Sequence, residues 1–393
     1  MWVAKPEMVT EASLNLDSLE PDETERLKRE IKQYIEEYRR LPPTTIDYYK
    51  FVKLVGKGAF GKVTLGIHKL TGKKVAIKTI EKSYMKDDFS RKKVLQEVYI
   101  LKKIQHSNVI RLLEVFESSK HLLIVMEYSD GGDLLKYVKT NGRLNEERAR
   151  IYFKNIAIGL AHCHCRSVLH RDIKLDNILL DSHGGVKICD FGVSKILKKD
   201  QMVKEQCGTP AYIAPEVIGN LGYVGYSVDV WSLGVLLYAM LCGTVPFKAP
   251  NMKDLHKIIN RGEFSFPCNV SPEAEDLVRS MLMQSPDDRL CIPEILNHPW
   301  VKASDAEYLG ETDLESDVLL SRKKCQIMMD DQSGKQGINK IDVENLFPGA
   351  RQNPNSKLSY LDHEFITENH QTMHIDEEAL KVVENFGYPK SFV

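Results

Sequence analysis

HRDIKLDN, residues 170–177, sets an aspartate, a lysine and an asparagine (Asp172, Lys174, Asn177) within six positions of one another, just past a helical pattern that ends near Cys165. Asp190-Phe191-Gly192 stands thirteen residues beyond Asn177, and Ala214-Pro215-Glu216 follows. Upstream lie GKGAFGKV at 56–63 and VAIK at 75–78. Each short motif alone is weak, whereas the set in this order is specific enough to decide the fold. Residues 51–80 read as strands broken by Gly-rich turns and by Thr71-Gly72, and 134–301 reads mostly as helices. A β-rich part therefore precedes an α-rich one.

The glycines Gly56, Gly58 and Gly61 free backbone N–H groups to approach a polyphosphate. A dinucleotide-binding turn would open a helix here. Instead Val63-Thr64-Leu65-Gly66-Ile67 alternates like a second strand, which predicts a β-hairpin flap. Fifteen residues after Val63 comes Lys78, a strand lysine able to hold phosphate oxygens, and Glu97 in the helical run RKKVLQEVYILKKI is its candidate carboxylate partner.

With these motifs together, residues 51–301 resemble the protein kinase family. The resemblance implies an α+β, bilobal fold: a small β-rich lobe with one main helix, then a larger helical lobe. It implies ATP and Mg2+ as cofactors. By it Lys78 holds the α- and β-phosphates, Glu97 fixes Lys78, Asp172 takes the substrate proton, Lys174 steadies the phosphoryl group, and Asn177 with Asp190 binds magnesium. Val55, Val63, Ala76, Met126 and Leu179 are assigned to the adenine sandwich, Glu127 and Tyr128 to the hinge, and Cys189 to the pocket floor. Taken singly, each apolar residue of that set reads equally well as core. Asp133, on the rim of the site, and Asp176 stand where relatives meet a basic residue before the target. Lys174 and the Gly208-Thr209 pair are similar to Ser/Thr kinases, and GTPAYIAPE with HPW at 298–300 resembles the calcium/calmodulin-dependent and AMP-activated groups. Protein substrates with Ser or Thr are implied, as is an ion pair between Arg289 and Glu216. A scaffold that binds nucleotide and acts by docking partners is the rival reading.

The 393-residue chain has net charge -1 and gives no overall attraction to nucleic acid or anionic membrane. By segment the balance is -3 for 1–50, +9 for 51–301 and -7 for 302–393. A basic domain between acidic ends leaves two readings of the tail: a solubilising one, and an intramolecular contact across the substrate groove. The eight cysteines lack paired spacing and MWVAKPEMVT has no apolar signal core, so a cytoplasmic setting is expected, with the nucleus open. His162-Cys163-His164-Cys165 sits on a helix, where such close neighbours do not converge on one metal ion. Residues 22–41 predict an amphipathic helix stopped by Pro42-Pro43. DEEALKVVENFGYPKSFV at 376–393 resembles the first helix of a ubiquitin-associated-like domain, and MDDQSGKQGINKIDVENLF departs from a calcium loop at Lys335. No pattern fixes an oligomeric state.

Between Ser194 and Thr209 the chain contains no hydroxyl residue. In kinases of this resemblance a regulatory phosphothreonine often lies four residues before the Thr of the GT pair, a place held here by Glu205. Arg171, Lys195 and Lys93 are the bases expected around it.

Overall fold

The computed structural model describes residues 21–58, 61–198, 201–219, 222–223 and 225–303, with side chains from Thr24 onward. The acidic tail, the ubiquitin-associated-like stretch and the calcium-like loop lie outside the described residues. The chain divides into two compact units. One holds residues 21–84 and 113–128, the other 85–112 and 129–303.

The first unit opens with α1 (Pro21–Tyr38) and continues with β1 (Tyr49–Gly58), β2 (Gly61–His68) and β3 (Lys74–Glu81). After α2 (Asp88–Lys103), which clusters with the other unit, β4 (Leu112–Glu117) and β5 (His121–Glu127) complete a five-stranded sheet ordered β1-β2-β3-β5-β4. Side chains alternate across a strand, so β3 divides its residues between two faces. Val75 and Ile77 join Tyr49, Leu123 and Val125 in a core packed by Ile46, Tyr48, Leu113 and Phe116. Ala76 and Lys78 belong to the opposite face. Ala76 pairs with Leu65 and Met126, and Lys78 with Val63 and Ile124, so these six residues share that face.

The hairpin flap expected at the glycine-rich motif is present: β1 and β2 run antiparallel up to Gly58 opposite Gly61. A register shift between Leu54 and Gly56 leaves Val55 as the extra residue. α1 ends three residues earlier than its sequence pattern indicates. Arg39 turns left-handed (φ 53°), and Leu41, which precedes Pro42 and is disfavoured in helical backbone, lies exposed. Thr24 Oγ1 donates to the Lys69 carbonyl (3.2 Å), fastening α1 to the turn after β2.

The second unit is helical. Beyond α2 it contains α3 (Leu134–Asn141), α4 (Glu146–Cys165), α5 (Pro215–Ile218), α6 (Ser227–Cys242), α7 (Met252–Arg261), α8 (Pro272–Met281), α9 (Ile292–Asn297) and α10 (Pro299–Lys302). Two two-stranded sheets interrupt it: β6 (Val168–Leu169) pairs with β9 (Lys195–Ile196), and β7 (Ile178–Leu180) with β8 (Val186–Ile188). Every residue of α6 from Val228 to Leu241 is buried, as an all-round apolar helix must be. α4 is amphipathic only in its first half; Ile156 to His164 is buried on all sides. The His162–Cys165 cluster therefore serves packing: His164 reaches Asp229, while His162 Nδ1 meets Arg166 Nη1 at 3.0 Å. Trp300 closes this unit, stacking edge-on to Phe153 and donating from Nε1 to Glu146 (3.1 Å). Full burial of such a ring contributes about 3 kcal/mol or more.

Candidate active site

The loop from His170 to Asn177 follows β6 and is shaped from beneath by α6. Asp229, fully buried on the first turn of α6, accepts hydrogen bonds from three groups. Oδ2 takes His164 Nε2 (2.8 Å) and the His170 N–H (2.9 Å), and Oδ1 takes the Arg171 N–H (2.8 Å). Burial alone would push its carboxyl up; the hydrogen bonds from His164 and from the His170 N–H help to outweigh it and hold Asp229 below the usual carboxylate value. These bonds keep Arg171 in left-handed backbone (φ 69°), a conformation costly to an L-residue without such support. His170 is buried against Phe191, 4.9 Å between ring centres. Its Nδ1 accepts the Asp172 N–H (3.2 Å) and its Nε2 lies 3.2 Å from the Cys189 carbonyl, which can only accept. The imidazole is thus a neutral Nε2–H tautomer, consistent with burial lowering its pKa.

Asp172 is presented by this scaffold with both oxygens engaged. Oδ2 receives Lys174 Nζ (2.7 Å) and Asn177 Nδ2 (2.9 Å), and Oδ1 receives the Thr209 N–H (3.1 Å) and Thr209 Oγ1 (2.9 Å). Lys174 Nζ also donates to Thr209 Oγ1 (2.8 Å). A lysine, an amide and a hydroxyl therefore fix one carboxylate in charge-assisted geometry. Asn177 spends Nδ2 on Asp172, through its carboxylate and its backbone carbonyl (2.8 Å). The Cys189 N–H donates to the Asn177 carbonyl (2.9 Å), which ties the loop to the strand leading into Asp190. Asp190 is exposed and left-handed (φ 63°), with Oδ1 taking the Gly192 N–H at 3.3 Å. Cys189 and Leu179 are half-buried.

The segment after Phe191 returns to Asp172 through several anchors. Val203 and Tyr223 form an antiparallel bridge, Gln206 Nε2 donates to the Val217 carbonyl (2.9 Å), and Gly208 passes the Arg171 carbonyl. A Cβ at Gly208 would lie 2.8 Å from that oxygen, at φ 110°, so only glycine fits. Glu205 meets Arg171 Nη1 at 2.7 Å and Lys195 Nζ at 3.0 Å. The Arg171 hydrogen bond first, then Lys195, holds the Glu205 carboxyl below its ordinary value. Lys93 does not join them; its ammonium sits 4.3 Å above the Phe89 ring, one turn back on α2. The expected Arg289 and Glu216 pair is present and bidentate (2.8 and 3.1 Å), with Arg289 5.1 Å over Trp231.

The remaining sequence-derived site residues fall in both units. In the first, Val63, Ala76, Lys78 and Met126 lie on one sheet face by register; Lys78 is buried, and Val63, Ala76 and Met126 are half-exposed where core residues of the sheet are covered. Val55 is 42% exposed, which removes the reading of it as core. Glu127 ends β5 opposite Val75, and Tyr128 follows. In the second, Glu97 is buried on α2, whose Gln96 donates to the Ser194 carbonyl (2.7 Å). Asp133 caps α3, Oδ1 accepting the Lys136 N–H (2.7 Å), whereas Asp176 is exposed. The contacts by which Thr209, Asp229 and His164 support the loop carry no signal in the sequence. Each lies far along the chain from its partner, and a lone Thr or Asp leaves no spacing signal.

The chain belongs to the protein kinase domain family, whose model matches residues 49–301. It is similar to the SNF1-related protein kinase catalytic subunit alpha KIN12 of Arabidopsis thaliana, 41% identical over 268 residues that make up 68% of this chain and 54% of that protein. It is similar also to the carbon catabolite-derepressing protein kinase of Candida glabrata, at 39% over 71% of this chain and 45% of the relative. A serine/threonine-protein kinase SIK3 homolog of Danio rerio is 39% identical over 68% of this chain and 22% of its own length. The resemblance to AMP-activated-type kinases is thereby shown. The matched region spans between about a fifth and about half of these relatives.

Proposed function

We propose that this chain is a protein serine/threonine kinase that moves the γ-phosphoryl group of MgATP to Ser or Thr hydroxyls of protein substrates. The observation that carries the reading is the Asp172 carboxylate, fixed by Lys174, Asn177 and Thr209 at one point of the loop. Bound MgATP supplies an electrophilic phosphoryl group with a divalent cation to offset its charge.

The residues present fit that cofactor. Among the described residues no heavy atom comes closer than 3.8 Å to where a Cβ of Gly56 or Gly58 would stand, so glycine there keeps open a space that side chains would fill. Gly61 is different, because a Cβ would clash with the Thr79 carbonyl. With Nδ2 of Asn177 committed to Asp172, its amide oxygen is left for a hard cation, together with the Asp190 carboxylate. In the first unit Lys78 would serve the phosphates, Val55, Val63, Ala76 and Met126 the base, and Glu127 and Tyr128 its edge; in the second, Glu97, Leu179 and Cys189 carry the roles that the family resemblance implies. Asp172 orients the incoming hydroxyl and accepts its proton, and Lys174 sets positive charge beside it.

Basic residues ahead of the target are favoured by Asp176, an exposed carboxylate four residues past Asp172. Asp133 has only the oxygen not used in its cap to offer. Radiolabelled ATP with a Ser/Thr peptide library tests the whole reading. Transfer to Ser/Thr peptides, strongest for basic ones and absent in Asp172→Asn, is the expected result. Nucleotide binding without transfer above the Asp172→Asn background would favour the scaffold.

A further inference from the structure

From the contacts of Glu205 we infer that this carboxylate is a positioning residue that holds the 203–209 segment in its working place, so that the chain needs no phosphate there to act. The inference rests on the kinase reading above. Four observations carry it. First, Glu205 joins two elements at once: Arg171 of the catalytic loop (2.7 Å) and Lys195 of β9 (3.0 Å). Second, Arg171 is largely buried and its Nε is already committed to the Val193 carbonyl (2.6 Å), so loss of the carboxylate takes from a buried guanidinium the anion that its Nη1 meets.

Third, the tie lies in a chain of anchors that ends on the reacting carboxylate. Val203 is bridged to Tyr223, Glu205 is held as described, Gly208 abuts the Arg171 carbonyl, and Thr209 binds Asp172. Displacing Glu205 therefore loosens the segment four residues from Thr209 and frees the side chain next to Asp172. Fourth, residues 195–208 contain no Ser, Thr or Tyr, so no phosphate can be added on this stretch by hydroxyl phosphorylation. One carboxylate charge on two cations is the whole device.

Glu205 is itself 57% exposed, which sets the expected effect at the low end for a charge-assisted pair: about tenfold in kcat. The test uses the full chain made in bacteria, treated with phosphatase and shown phosphate-free by intact mass. Transfer to the peptide library is expected to be unchanged by the phosphatase. Glu205→Ala should lose about tenfold in kcat with KM for ATP within about twofold, and Glu205→Gln should fall between the two. The Glu205→Ala, Arg171→Ala double variant should lose little more than the worse single one, since both report one interaction. Hydrogen exchange should rise in 203–209 of Glu205→Ala and stay unchanged in α6, which separates positioning from general unfolding. Full kcat in Glu205→Ala, additive losses in the double variant, or wild-type activity that appears only after an added kinase phosphorylates the chain would each overturn the inference while leaving the kinase reading intact. If wild type were as inactive as Asp172→Asn, the kinase reading would fail, and exchange at 203–209 would still decide the role of Glu205.

Discussion

The catalytic loop and the 203–209 segment meet at Asp172, yet they are held by opposite means. Residues 170–172 hang from Asp229, which is fully buried and makes three hydrogen bonds out of reach of water. Residues 203–209 hang in part from Glu205, a carboxylate in contact with solvent. A buried anchor cannot be exchanged without damage to the fold. A surface anchor can be gained, lost or replaced at small cost to stability, which makes the second region the place where control can be changed by one residue.

The largest effect should come from breaking the buried side. Asp229→Ala leaves two loop N–H groups and His164 without their acceptor, and a loss of about 3–5 kcal/mol in unfolding free energy is expected by urea titration. A loss under about 1 kcal/mol would mean that the loop is supported elsewhere. Next is Asp172→Asn, which should keep nucleotide binding in a fluorescence titration and lower transfer by about 100-fold or more. Asp190→Asn should lower transfer as severely but weaken the magnesium dependence as well; equal activity of both variants with wild type would break the mechanism.

Acid should act through the buried histidines that the fold keeps neutral, His68 in the sheet unit and His170 in the catalytic loop. Burial lowers the pKa of His68 to about 4, and its Nδ1 accepts the Thr71 N–H (3.3 Å), so the folded chain keeps it neutral. The unfolded chain takes up that proton from about pH 6.5 downward. Stability present above about pH 6.5 is therefore lost as the pH falls towards about 4, amounting to about 2 kcal/mol by pH 5. His68→Gln should flatten this slope in urea unfolding, and an unchanged slope would assign it to His170 instead. Asp229 and Glu205, whose carboxyls are held below their usual values, keep their contributions until the pH drops through those lowered values. The smallest effect is the sharpest comparison. Raising salt from about 0.05 to 0.5 M should raise hydrogen exchange in 203–209 by about two- to threefold and leave 170–177 untouched, because only exposed charges are screened. Equal responses would erase the distinction.

Much of this architecture is legible in the chain because its chemistry is local. Gly58 and Gly61 flank the hairpin tip, Lys78 and Ala76 alternate with Val75 and Ile77, and Asp172, Lys174 and Asn177 sit within one loop. Glu205 was found because its place relative to the GT pair could be counted. Lys93 was misplaced by the same counting, since register along α2 says nothing about whether Phe89 offers its ring a turn away. The end of α1 was read from Pro42-Pro43, but the residue before a proline and a left-handed Arg39 stop the helix sooner. The contacts of Thr209 and Asp229 are illegible in the sequence for a physical reason: their partners lie 37 and 58 to 65 residues away, and only packing brings them together.

α6 has a consequence for biosynthesis. Residues 228–241 are buried on every side, and α8 covers one of them so closely that a Cβ on Gly234 would meet Met281 at 2.9 Å. α8 ends 39 residues after α6 does. At translation rates of about 5–20 residues per second, an apolar helix with no exposed face waits about two to eight seconds for its cover to be made. Chaperone supply during synthesis, more than the stability of the finished domain, should then govern how much folded protein a bacterial host yields.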